Sequence, residues 1–169
     1  MKKFFIGILI FCSLTLVFIA VGLALYIQKA DEEFLNTIEI KNDGVTYEVF
    51  KGNLSLAPSE SESFEIELFS KLDGKYYVTL DFSERKNGKI SQYVDVTILV
   101  GNKEVYSDVT LKELFEADEP VEFELELPVG DIEKIVIVYS IDSRRGNEVE
   151  NTYSDFNIEL KVERIVGDN

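Results

Sequence analysis

Apolar and polar positions follow two different rules along this chain. Between Phe4 and Ile27 the residues form one apolar run without a charge. After Asp31 they alternate with period two. The run is about two dozen residues, which as a helix spans roughly 36 Å, enough to cross a hydrocarbon core of about 30 Å with some tilt. Backbone groups in lipid must be satisfied within the segment, so a single helix is expected. Lys2 and Lys3 precede the run, and Asp31, Glu32 and Glu33 follow it. This charge bias places the N-terminus in the cytoplasm and the rest outside. A cleaved signal peptide is the rival reading: Lys2-Lys3, an apolar stretch to Ala20, and small residues at Gly22-Leu23-Ala24. Leu25-Tyr26-Ile27 prolongs the run beyond that site and favours a retained anchor. Either way, the remainder is exported.

Beyond a short polar linker, residues 31–36, the alternation predicts strands. Thr37-Ile38-Glu39-Ile40 and Val45-Thr46-Tyr47-Glu48-Val49-Phe50 flank Asn42-Asp43-Gly44 and read as a hairpin. Leu54-Ser55-Leu56 runs into Ala57-Pro58. Phe64, Ile66 and Leu68 alternate with glutamates, and Asp73-Gly74 turns the chain into a strand from Tyr76 to Phe82. The stretch from Tyr93 to Val100 is β-branched on one side. Gly101-Asn102 turns it into Lys103-Glu104-Val105-Tyr106. Leu111 to Phe115 has helical spacing, with Thr110 and Glu113 placed as a capping box, and Pro120 is expected to end it. Val121, Phe123, Leu125 and Leu127 alternate with Glu122, Glu124 and Glu126. Residues 135–139 are apolar on both faces, the mark of a central strand. Phe156, Ile158, Leu160 and Val162 form the last strand. Eight to ten short strands with one short helix predict an all-β chain: an antiparallel β-sandwich of jelly-roll or immunoglobulin-like type. The expected organisation is an anchor or signal peptide in residues 1–30, the linker in 31–36 and the sandwich in 37–166.

Charge narrows the partners. The exported part holds 14 basic and 32 acidic residues, a net charge of −18. It repels nucleic-acid phosphates and anionic membrane surfaces and suits solubility, cations or a basic partner. The one cysteine, Cys12, lies inside the apolar run. The exported domain therefore has no disulfide, and Leu9-Ile10-Phe11 lacks the small residues of a lipoprotein acceptor site.

The chain contains no histidine. That excludes a Ser-His-Asp triad, a Cys-His dyad and a histidine-based zinc site. No glycine-rich phosphate loop opens a helix. We expect no enzyme, no catalytic or cofactor-binding residues and no metal ligands. The one cofactor left open is calcium, at carboxylates in turns: Asp73-Gly74, Asp118-Glu119 and Asp131-Ile132-Glu133, none of them an EF-hand loop. The row Glu122, Glu124 and Glu126 reads as a solvated strand face. Arg144-Arg145 reads as a loop tip able to hold an anion. Tyr47, Tyr76, Tyr77, Tyr93, Tyr106, Tyr139 and Tyr153 read as sheet packing more than as a sugar platform.

Three stretches together carry a resemblance. They are Asn53-Leu54-Ser55-Leu56-Ala57-Pro58-Ser59 before an alternating strand, Val105-Tyr106 followed by Thr110-Leu111-Lys112-Glu113-Leu114, and Gly146-Asn147-Glu148-Val149-Glu150-Asn151-Thr152-Tyr153 before the last strand. In that order they resemble the camelysin/TasA family of exported bacterial surface and biofilm-matrix proteins. The resemblance implies a jelly-roll-like sandwich and self-assembly by strand pairing, since some members donate a strand to the next subunit. Two positions depart from it. Ser59 stands where the family has glycine, and Leu25-Tyr26-Ile27-Gln28 replaces its acidic, aromatic segment after a cleaved signal. The metalloprotease label of camelysin does not carry over to a chain without histidine. The expectation is a single-pass envelope or matrix protein held in the membrane by residues 4–27, or a secreted one if the run is cut. The alternative is a binding module for a sugar, calcium or a basic protein.

Overall fold

The alternation produces nine strands and one short helix among the described residues, which in this computed structural model are 37–40, 44–86, 89–149 and 152–166. The expected anchor at residues 4–27 and linker at 31–36 lie outside them. No described helix is long and apolar enough to cross a membrane. The strands are β1 (Thr37–Ile40), β2 (Gly44–Leu54), β3 (Ser61–Ser70), β4 (Gly74–Lys86), β5 (Val94–Val100) and β6 (Lys103–Thr110). Helix α1 (Leu111–Glu116) follows, then β7 (Val121–Leu127), β8 (Ile132–Ile141) and β9 (Ser154–Ile165). They form two sheets, ordered β1-β3-β8-β5-β6 and β2-β9-β4-β7. The chain is therefore all-β.

Period-two patterning puts alternate side chains of each sheet on the inner face. Ile66, Leu68, Ile135, Ile137 and Tyr139 from the first sheet are buried in one cluster with Val78, Leu80, Phe156, Ile158 and Leu160 from the second. Phe50 meets Phe64 edge-on at 5.4 Å between ring centres, and Tyr139 meets Phe156 at 5.9 Å, so aromatic pairs bridge the two sheets. Strand β8 is central, as its two apolar faces predict, with β3 and β5 on either side. The capping box also forms. Glu113 N donates to Thr110 Oγ1 at 3.3 Å, and Thr110 N donates to Glu113 Oε2 at 2.7 Å.

Three local readings are corrected. β1 and β2 do not form a hairpin. β1 pairs with β3, and β2 lies in the other sheet against β9. The β1–β3 pair is parallel, so the sandwich is not wholly antiparallel. Gly44 is needed for close approach: a Cβ there would lie 2.8 Å from the Val162 carbonyl oxygen. By contrast Gly101, at φ +57°, makes the turn its sequence predicts between β5 and β6. Finally, α1 stops at Glu116, ahead of Pro120, because Ala117 is already extended at φ −66°, ψ 136°.

Candidate functional site

The connections between strands gather at two ends of the sandwich. At one end lie α1, the β4–β5 connection and the loop from β8 to β9. Asp142 opens that loop and organises it. Arg144 donates to its carboxylate from the backbone N at 2.8 Å and from Nε at 3.1 Å and 3.0 Å. Those bonds, side-chain first, hold the Asp142 carboxyl well below the usual range, at about 2. Arg145 lies over the Tyr93 ring at 5.2 Å and reaches Glu148 at 3.9 Å. The two arginines thus diverge, and the Arg144 fork already grips a carboxylate of its own loop.

Beside this loop is a cleft of about 400 Å³ walled by Glu84, Lys89, Ser91, Gln92, Lys112 and Phe115. Lys112 and Glu116, one helical turn apart on α1, pair at 3.6 Å. Phe115 packs on Phe156 at 5.6 Å, so the helix is fixed to the core. Lys89 has φ +68°, a left-handed backbone that is uncommon outside glycine. Charges of both signs around an aromatic wall make the cleft able to hold a small polar molecule. Its walls come from two segments, 84–92 and 112–116, that only the fold brings together, so no local pattern announces it.

The carboxylates considered for calcium are divided between the two ends: Asp73 and Asp131 lie in neighbouring connections at one end, and Asp118 and Glu119 at the other. Asp73 lies in the β3–β4 connection, and its Oδ1 accepts from Val129 N at 2.5 Å. Asp118 and Glu119 lie beyond the Val121 end of β7, while Asp73 sits by its Leu127 end. Ile132 and Glu133 belong to β8, not to a turn. Among the described residues no group of three or more acidic or thiol side chains could hold a metal ion. Glu122, Glu124 and Glu126 are exposed on β7, as their spacing predicts. Tyr77 donates to Glu122, and that bond, with burial and the charge of Glu122, raises the phenol above its ordinary value.

The tyrosines do not share one face. Tyr76 and Tyr139 are buried, Tyr47 and Tyr106 are exposed on different sheets, and Tyr153 receives Lys86 over its ring at 5.6 Å. No protein-family model matches the chain, and no curated protein matches it either.

Proposed function

We propose that the chain is a membrane-held, extracytoplasmic β-sandwich with a structural or assembly role in a bacterial envelope or extracellular matrix. The observation that carries this reading is the junction near Asp31. An uncharged apolar run ends there, and an acidic chain that folds as two facing sheets begins. The strand order supports the finer reading. Without β1, the orders β2-β9-β4-β7 and β3-β8-β5-β6 are those of a double-sheet jelly roll. A second support for the family likeness is geometric. Ser59, where the likeness calls for glycine, has φ +70°. Assembly through strand pairing has an available edge in β2, which is eleven residues long and, among the described residues, pairs on one side only.

Two measurements on cells test the reading. The mass of the mature chain, with alkaline extraction of membranes, is expected to show an intact N-terminus and a chain that stays with lipid. Cross-linking is expected to join it to envelope neighbours or to itself. A chain that is monomeric and without neighbours in every condition sinks the assembly role.

The cleft beside α1 favours one other reading, a binding module for a small polar ligand such as a sugar. A thermal-shift screen separates the two: a ligand that raises the melting temperature and loses its effect in Gln92→Ala supports binding. The same screen with calcium against chelator tests the cation.

A further inference from the structure

We propose that the end of the sandwich opposite α1 is a lipid-facing tip that rests on the outer surface of a phospholipid bilayer. The inference builds on the membrane-held reading above.

Five aliphatic side chains converge at this end: Leu72 (41% exposed), Val129 (54%), Ile132 (56%), Ile165 (40%) and Val166 (73%). Strand pairing brings them there. Ile132 faces Phe69 at the end of β3, and Ile165 faces Lys75 at the start of β4. Among the described residues the other large hydrophobics exposed to this degree are Tyr47 and Tyr106, both in the middle of strands and both with a polar hydroxyl. The end bearing α1 contributes none.

The tip is built rather than loose. Asp73 Oδ1 accepts from Val129 N at 2.5 Å, and its carbonyl accepts from Arg164 Nη2 at 2.5 Å. Gly130 N donates to the Ser70 carbonyl at 3.1 Å. Leu72 N donates to Ser70 Oγ at 3.1 Å, and the Leu72 carbonyl accepts from Tyr76 Oη at 2.7 Å. Both backbone groups of Leu72 and the N–H of Val129 are therefore satisfied within the protein while their apolar side chains meet water. Surfaces of that kind mark interaction sites.

Length favours lipid as the occupant. β1 runs parallel to β3 toward this end, from Thr37 beside Glu67 to Ile40 beside Ser70. Thr37 is thus about 10 Å from the tip, at roughly 3.3 Å per residue. The nine residues between Ile27 and Thr37 can reach roughly 30 Å. A tether of that length holds the tip at high effective concentration against the bilayer, so a weak apolar contact suffices. Five partly exposed side chains fall well short of the about 800 Å² per partner that a standard protein interface buries, which disfavours a second copy.

The test uses the full chain with Cys12→Ser and one new cysteine, Leu72→Cys, Val129→Cys, Val166→Cys or, as control, Tyr106→Cys. Each carries an environment-sensitive fluorophore and is reconstituted in phosphatidylcholine vesicles. The three tip labels are expected to shift to shorter wavelength and to be quenched several-fold more by lipid-borne nitroxide than the control. Adding Leu72→Ser and Val129→Ser, with circular dichroism unchanged, should return the label at position 166 to water. Tip labels as open to aqueous iodide as the control overturn the proposal, and so does shielding that grows with the protein-to-lipid ratio, which assigns the tip to a second copy. Alkaline extraction of the same vesicles reads the anchor separately. Chain retained with water-exposed labels removes only the tip contact. Chain released removes the membrane-held reading itself.

Discussion

Two buried tyrosines show how the same side chain has opposite effects in one core. Tyr76 donates to the Leu72 carbonyl at 2.7 Å and lies 2.7 Å from Ser70 Oγ, so its hydroxyl closes a buried network. Tyr139 is equally enclosed, but its hydroxyl finds no partner among the described residues, and burial raises it far above the ordinary phenol range. A buried hydrogen bond contributes about 1 kcal/mol, and an unsatisfied buried group costs about 1–3 kcal/mol. Tyr76→Phe is therefore expected to lower the unfolding free energy by about 1 kcal/mol or more, and Tyr139→Phe to raise it by about 1 kcal/mol, both read from urea midpoints. Asp142 makes a pH prediction. Its carboxyl is depressed in the folded state to about 2. Its contribution to stability is thus present above about pH 4 and lost as pH falls through about 2. Arg144→Gln removes the side-chain bonds, and the Asp142 midpoint, followed by NMR titration, should rise by about one pH unit or more. None of these outcomes is legible in the sequence, since each depends on which atom lies opposite a side chain in the fold.

Elements were legible where their signals are local. The Thr110–Glu113 box needs only four consecutive residues, and it forms as read. Pairing partners were not legible. A turn-like Asn42-Asp43-Gly44 looks the same whether the flanking strands join each other or leave for different sheets, and here β1 goes to β3 and β2 to β9. Register is hidden as well. The irregularity between Glu48 and Phe50 lets Tyr47 and Phe50 face Leu160 and Ile158, though an unbroken alternation would place them on opposite faces. The cleft at α1 was missed for the same reason. Residues 57–60 offer the clearest element-scale test. Glu60 N donates to the Ala57 carbonyl at 3.0 Å around Pro58 and Ser59, and Ser59 has φ +70°. This is a type II turn, whose third position favours glycine. A side chain held in the left-handed region costs about 1–2 kcal/mol, part of which the greater unfolded-state entropy of glycine cancels. Ser59→Gly should stabilise the chain by about 0.5 kcal/mol or more, seen as a higher urea midpoint with an unchanged slope.

At the scale of the whole molecule the excess of acid was plain from composition, but its arrangement was not. Pairing places Glu159 of β9 between Glu48 of β2 and Asp81 of β4, three carboxylates in one row across the outer face of the second sheet. Like charges directly opposite destabilise a sheet, and opposite charges contribute about 0.2–1 kcal/mol per pair. These groups sit at the surface, so their repulsion is screened as the Debye length contracts to about 8 Å at 0.15 M salt. The chain should consequently melt at a higher temperature when sodium chloride is raised from about 10 mM to that concentration. Glu159→Lys turns both neighbours from repulsive to attractive. It should raise stability at low salt by about 1 kcal/mol, and the gain should shrink as salt is added. A substitution that acted through packing would keep its effect at every ionic strength, so melting curves of the two chains across a salt series distinguish charge from shape. If the row is instead retained for a cation or a basic partner, that partner should stabilise the parent chain and not Glu159→Lys, a difference the same curves detect once it is added.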